Sequence, residues 1–374
     1  MAPKRLAGVD VARCVALFGM GTVHVLPTTD ATGAPTLVEQ VFGGRSAALF
    51  AVLAGVGLAL AVGARPELRR AAPVVATRAA LIGAVGLLLA LFDSGVAVIL
   101  AYYAVLFVLV LPWLRARPPV LLASAAVVAI GMPFLSFAVR DSLPPRDPTN
   151  PGPWDLAAPG ELLSELLLTG YYPAAVWVAY LLTGLAVARI GLRSRRSAAA
   201  VAAAGAALAL GAHAISAVLL GPLGGYRRIG ELLGLEGADT RQVVGAGAYG
   251  NVPTDTVWWL ATDAPHSTTP LDMVATTGSS LLVLGLALLA VQGLPALLAP
   301  LAAVGSMPLS LYTAHVVLLG TTEPADPLRS YWLQVVAALV FATLWRRFVG
   351  RGPLEAAVAR AVEPLRERPV GVGT

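Results

Sequence analysis

Ten times along this chain, about twenty consecutive residues pass that are mainly apolar, at approximately 10–28, 46–64, 72–92, 94–113, 118–138, 171–189, 198–220, 271–291, 296–320 and 330–349. That is the length a helix needs to cross roughly 30 Å of hydrocarbon. Lipid offers no partner to a backbone N–H or C=O, so a spanning segment with this pattern must bond to itself as a helix. The expected fold is therefore all-α: a polytopic membrane helix bundle of about ten transmembrane helices, forming one integral-membrane domain over 1–374. Composition agrees. Of 374 residues 57% are hydrophobic and 13% charged, about half the charged share of a soluble domain. The first run has no small-residue cleavage site and carries charges, so it reads as a span and not as a signal peptide.

The basic residues set the sidedness. Lys4 and Arg5 precede span 1; Arg65, Arg69 and Arg70 follow span 2; Arg115 and Arg117 follow span 4; Arg189, Arg193, Arg195 and Arg196 follow span 6; Arg346, Arg347 and Arg351 follow span 10. All fall on one side if both termini are cytoplasmic, which gives N-in and C-in. The same clustering explains the net charge of +5 without nucleic acid as a partner. One lysine against 25 arginines hints at a high-GC bacterial genome, hence a bacterial plasma (inner) membrane. The single Cys14 excludes an intrachain disulfide and a multi-cysteine metal site, and no metal is expected.

Two longer connections, about 139–170 and 221–270, are too polar for lipid and are expected to cap the outer mouth. The second carries Trp258, Trp259 and His266. Trp113, Trp177 and Trp332 read as interfacial aromatics. After span 10, the tail at about 352–374 spaces Leu354, Val358, Ala361, Val362 and Leu365 on one face, with Arg360, Arg366 and Arg368 opposite. It reads as an amphipathic helix on the inner leaflet.

Span 1 is the exception to this apolar pattern. "DVARCVALFGMGTVHVLP" (10–27) holds Asp10, Arg13 and His24. At about 100° and 1.5 Å per residue, Arg13 and His24 lie within about 20° of one face and about 16 Å apart along the axis. Asp10, three before Arg13, is placed for a helical ion pair. A charge at mid-bilayer costs about 2.5–3.5 kcal/mol even on a lenient scale, so this face should point into the bundle. A neutral imidazole in the outer half can take a proton from a hydroxyl or amine near neutral pH. The bland alternatives are an anchoring ion pair and a histidine bonded to a neighbouring helix.

The Arg13–X10–His24 spacing resembles the signature of membrane acyltransferases. "RLAGVDVARCVALFGMGTVH" is similar to the first helix of the transmembrane acyltransferase superfamily. "GRSAALFAVLAGVGLALA" (44–61), "LLLTGYYPAAVWVAYLLTGLAVARIGL" (166–192), "PHSTTPLDMVATTGSSL" (265–281), "VGSMPLSLYTAHVVL" (304–318) and "RGPLEAAV" (351–358) resemble YeiB-like bacterial membrane proteins, related to heparan-alpha-glucosaminide N-acetyltransferase. The resemblance implies an acyl group taken from cytoplasmic acyl-CoA, acetyl-CoA above all, and handed to an acceptor such as a sugar on the far side. It maps the catalytic histidine onto His24 and the conserved arginine onto Arg13. In the heparan-type enzymes the key histidine sits in the loop between the first two helices. Here "TTDATGAPTLVEQVFGG" (28–44) has none, which leaves His24 as the nearest equivalent.

Other polar groups complete the expected site. His266, over the predicted mouth, is a rival or partner of His24. Arg45 at the outer start of span 2 would bind an anionic acceptor or an oxyanion, and snorkelling is its bland reading. Arg78 in span 3 would join Arg13 in holding the donor by contacting phosphate. His213 with Ser216 one turn away reads as a structural hydrogen bond. Pro308 should kink span 9, where Ser306, Ser310 and Thr313 share one face as a polar wall and Tyr312 and His315 point roughly opposite. Ser310 and Tyr312 are candidate acceptor-binding residues. The expected enzyme has His24 as general base or transient acyl carrier, Arg13 positioning the donor and Asp10 orienting Arg13. Its partners are the bilayer, acyl-CoA and a carbohydrate or other hydroxyl or amine acceptor, with a homodimer left open. The alternative is a multi-span transporter or flippase without acyl-transfer chemistry, since intramembrane charges and broken helices also mark substrate pathways.

Overall fold

The structure, a computed structural model, describes residues 6–63, 66–144, 149–323 and 325–367. Lys4, Arg5, Arg65 and Arg368, used above, lie outside the described residues. Helix α1 (Ala7–Val25) leads through a loop with the short α2 (Leu37–Phe42) into α3 (Arg45–Val62), then α4 (Leu68–Leu89), α5 (Leu100–Leu109) and α6 (Pro118–Val139). Next, α7 (Pro159–Ser164) runs through a π-helical turn and bends by 56° into α8 (Ala174–Ile190). The long α9 (Arg195–Leu220) is followed by α10 (Gly225–Leu233) and α11 (Gly237–Gly245). Then come α12 (Pro270–Gly293), α13 (Ala299–Val304), α14 (Pro308–Thr321), α15 (Pro327–Phe348) and α16 (Pro353–Glu367). No strand occurs among the described residues beyond one isolated bridge, Thr29 to Pro35.

All ten expected apolar segments are helical. Among the described residues seven helices are long and apolar enough to cross a membrane, eight if the bent α7–α8 pair counts as one span. The other two expected segments are the short α5 and the broken pair α13–α14. The expected kink at Pro308 is a complete break. Pro308 opens α14, where its missing N–H costs nothing, and the chain turns through Gly305–Met307 before it. The break lets α1 close in: a Cβ on Gly305 would fall on the Asp10 carbonyl oxygen.

Small residues set the other close crossings. A Cβ on Gly55 of α3 would strike the Leu181 carbonyl, and one on Gly184 of α8 the Val52 carbonyl. Gly205 of α9 and Gly278 of α12 meet in the same way. Without a hydrophobic drive between helices in lipid, such backbone approach is what van der Waals association requires. The periphery is opposite in character. On α15, Leu333, Val336 and Val340 are 60%, 55% and 54% exposed, an apolar stripe at helical spacing that faces lipid once the chain is in a bilayer.

The two polar connections do join. Arg140 donates to Asn251 at 2.8 Å and to the Val252 carbonyl, and Thr254 donates to Asp141 at 2.6 Å. Ile229, Val244, Trp259 and Leu260 form a small second core beneath α10 and α11. Trp177, expected at an interface, is instead buried between Tyr172 and Tyr180. Helix α16 turns Val358 and Val362 into the protein and packs on α4 and α14.

Candidate active site

Helix α1 carries polar groups at both ends. Near its N-terminus, Arg13 Nη1 meets Asp10 Oδ1 at 3.1 Å, the expected i,i+3 pair. Asp10 is buried, and Arg13 is 21% exposed by its side chain. Arg13 Nη2 also reaches the Leu53 carbonyl at 3.4 Å. Gly57 makes room for it, since a Cβ there would sit 2.5 Å from that nitrogen. Arg13 thus points at α3 and not at lipid, where an unpaired charge would be several kcal/mol worse.

In the last turn of α1, His24 Nδ1 lies 3.0 Å from Nε2 of His315 on α14. The two rings are close to parallel, 21° apart in plane. His315 Nδ1 in turn lies 2.7 Å from Oε1 of Gln334 on α15, whose Nε2 donates to Ser330 Oγ at 3.2 Å. Thr22 donates to the Tyr331 hydroxyl at 3.0 Å and ties α1 to α15 beside this chain. His315 and Gln334 also border a cleft of about 590 Å³ between α1, α14, α15 and α16. Its remaining walls are mostly apolar, with Leu17 and Gly21 on one side, Ala338 opposite and Leu354 at the far end.

His266 enters from the loop before α12. It and Thr268 hold φ of 55° and 53°, a left-handed conformation that non-glycine residues adopt at a cost and that clusters at functional sites. The connection after α11 braces this loop: Ala248 N–H donates to the Pro265 carbonyl and Gly250 N–H to that of His266. His266 Nε2 accepts from the Gly44 amide at 3.0 Å, so in the neutral ring Nδ1 carries the proton. That N–H is buried with no partner. The indole N–H of buried Trp177 is in the same condition. Trp177 packs on Tyr172, and Tyr171 and Tyr172 pack on the His266 ring at 5.0 and 5.9 Å between centroids. Burial holds the His266 imidazole at about 4, below its ordinary 6.5. Two orphaned donors behind tyrosine rings are rare enough in native interiors to need a reason, and a substrate oxygen is one.

The remaining candidates disperse. Arg45 opens α3 and donates to the Gln40 carbonyl beside the Gly44–His266 contact. Arg78 is half-buried on α4. Tyr312 is buried, its hydroxyl 3.5 Å from the Ile99 amide. Ser310 sits in the first turn of α14 and donates to Glu355 of α16 at 2.5 Å, at the opposite end of the cleft from Gln334. Ser306 bonds back to the Ala303 carbonyl. His213 pairs with Asp263 and not with Ser216, which donates to the Ala261 carbonyl. Sequence reasoning passed over Gln334. The signal was there, an amide inside the apolar run "YWLQVVAALVF", where a polar side chain needs a partner. Among the described residues, no group of three or more His, Cys, Asp or Glu is placed to hold a metal ion.

A family model described as heparan-alpha-glucosaminide N-acetyltransferase, catalytic, matches residues 5–219 of the chain, which include Asp10, Arg13, His24, Arg45 and Arg78. No curated protein matches the chain.

Proposed function

Since the chain belongs to the heparan-alpha-glucosaminide N-acetyltransferase catalytic family, we propose that it moves an acyl group, acetyl in the first instance, from cytoplasmic acyl-CoA to a hydroxyl or amine acceptor outside. A sugar is the acceptor that the family's printed name favours. The observation that carries the reading is His24, an imidazole in a membrane-crossing helix held by a second histidine and aligned with Arg13 on the same helix.

In this reading Arg13, oriented by Asp10, positions the donor from the inner side, with Arg78 near its phosphates. At the outer end the acceptor O–H or N–H gives its proton to the His24 imidazole as its heteroatom attacks the thioester carbonyl. The carbonyl electrons collect on oxygen, where the His266 Nδ1–H is a suitable donor. Collapse breaks the C–S bond, and the CoA thiolate takes the proton back from the imidazolium. The products are the acylated acceptor and free CoA thiol. Arg45, beside the Gly44–His266 contact, would help hold an anionic acceptor. The chain would work as a multi-pass protein of the bacterial inner membrane.

The test is CoA release from acetyl-CoA by purified full-length protein, with water standing in for the acceptor. General base catalysis is worth about 10²–10⁴ in rate, so His24→Ala should cost about a thousandfold. A His24→Ala protein with undiminished turnover would sink the proposal. Movement of an acceptor across vesicles without any acyl-CoA consumption would favour a transporter.

A further inference from the structure

We infer that His315 and Gln334 are positioning residues: together they fix the proton of His24 on Nδ1 and leave its Nε2 bare, as the atom that takes the acceptor proton. The inference rests on the acyl-transfer reading above and adds to it which nitrogen acts and what decides this.

The far end of the chain of hydrogen bonds sets the rest. The Gln334 amide has one acceptor and one donor end. In the structure its Oε1 lies 2.7 Å from His315 Nδ1, and its Nε2 points to Ser330 Oγ at 3.2 Å, an oxygen able to accept from it. A carbonyl oxygen can only accept, so His315 Nδ1 must carry a hydrogen. The neutral ring then has a lone pair on Nε2. That atom faces His24 Nδ1 at 3.0 Å, so His24 must donate from Nδ1. A neutral His24 is consequently bare at Nε2. The other tautomer of His24 would set two lone pairs against each other at that distance and forfeit the bond. With neutral rings and this amide orientation, each link has one workable direction.

Packing keeps the links in register. The Thr22–Tyr331 bond fixes α1 against α15 two residues from His24 and three from Gln334. The near-parallel rings leave the shared proton in the plane of both. Among the described residues no carboxylate is hydrogen-bonded to either ring. The acceptor proton arrives on His24 Nε2, across the ring from the Nδ1–His315 link, and Nε2 hands it to the departing thiolate. Neither His315 nor Gln334 lies in the stretch matched by the family model, which ends at 219.

The experiment uses full-length protein in lipid nanodiscs with acetyl-CoA as the probe. Loss of a supporting hydrogen bond of this kind costs about 10–100-fold. His315→Leu is expected to lower kcat for CoA release about a hundredfold, Gln334→Leu about tenfold, each with KM changed less than about threefold. His315→Gln presents an acceptor oxygen near the Nε2 position, and Gln334→Glu keeps an acceptor on Nδ1–H. Both should recover kcat to within about threefold of the unsubstituted protein. A purely structural role predicts that recovery tracks folding and not acceptor chemistry. The second readout is the ¹⁵N spectrum of histidine-labelled protein. The chain has four histidines, assigned by single substitutions, and the unsubstituted protein should show His24 protonated on Nδ1 and bare on Nε2. Finding the proton on Nε2, or both leucine variants at full kcat, overturns the proposal. If the leucine variants do not fold, the spectrum and the two conservative variants decide. If His24→Ala turns over acetyl-CoA normally, the acyl-transfer reading fails, and the spectrum still decides the proton's place.

Discussion

The two ends of α1 solve the same problem in different ways. Each buries polar side chains in an apolar bundle. At the N-terminal end the first partner lies three residues away on the same helix, Asp10 for Arg13. At the C-terminal end the partners are 291 residues away in sequence for His24 and a further 19 for His315. A same-helix pair is complete before the bundle assembles and travels with its helix. A cross-chain pair exists only when α1, α14 and α15 are docked, and its geometry then reports on all three. The first arrangement suits holding a charge in place. The second suits an atom that must be presented at a fixed point to something arriving from outside the helix.

That contrast predicts which variable each end controls. Asp10→Ala strips Arg13 of its carboxylate while burial persists. Breaking a buried pair costs about 3–5 kcal/mol, and the partly exposed guanidinium puts the expectation at the lower bound, about 3 kcal/mol. The thermal midpoint in detergent should fall, and KM for acetyl-CoA should rise as Arg13 loses its orientation, with kcat for CoA release nearly kept. A collapse of kcat at unchanged midpoint, as expected of His24→Ala, would erase the distinction between the ends.

The region around His266 has its own stability signature. The pKa of His266 in the fold, about 4, lies below the ordinary 6.5 of the unfolded chain. The unfolded state therefore binds the extra proton between those values, and stability rises with pH across that window. It is fully present above about 6.5 and is lost as pH falls toward 4. At one pKa unit per 1.36 kcal/mol, the loss by pH 4.5 is about 2 kcal/mol after allowing for partial exposure. Unfolding midpoints from pH 7.5 down to 4.5 measure it. His266→Asn, which has no such titration, should flatten that part of the profile. An equal slope in the variant would assign the effect to other groups and remove His266 as its source.

The legibility of the fold and of the site divides along the same line. The ten apolar segments, the inward face of α1 and the Asp10–Arg13 pair were all readable, because length, helical period and i,i+3 spacing are local properties. The Gly55 and Gly184 crossing could be suspected from composition but not assigned to a pair. His315 was read as facing away from the wall of Ser310 and Thr313, yet all three border one cleft. A helical wheel sorts residues by angle about one axis. The cleft wraps around α14 between α1, α15 and α16, so it collects residues from more than one face. The expected kink at Pro308 became a break for a related reason. What decides it is the fit of Gly305 against the Asp10 carbonyl, about 300 residues away.

The opposite end of α14 supplies the control for that comparison. There, too, a cross-chain contact holds the helix: Glu355 of α16 accepts from the Leu309 amide at 2.7 Å, the Ser310 amide at 3.2 Å and the Ser310 hydroxyl. This is a helix N-terminus capped by a carboxylate from 45 residues away, where both the orphan N–H groups and the helix dipole favour a negative charge. It joins elements 45 residues apart, against 291 for the histidine pair, and Ser310 lies about one and a half turns before His315, so it tests the docking of α14 apart from the histidine chemistry. Losing a cap costs about 0.5–2 kcal/mol, so Glu355→Ala should lower stability by about 1 kcal/mol and leave kcat for CoA release within about twofold. Glu355→Gln keeps one oxygen to accept from the Leu309 and Ser310 amides, loses the charge and turns the other acceptor into a donor toward the Ser310 hydroxyl, so it should cost roughly half as much. If Glu355→Ala instead depresses kcat as strongly as His315→Leu, long-range docking of α14 would be enough to explain every effect at the C-terminal end of α1, and the orientation of His24 would lose its special standing.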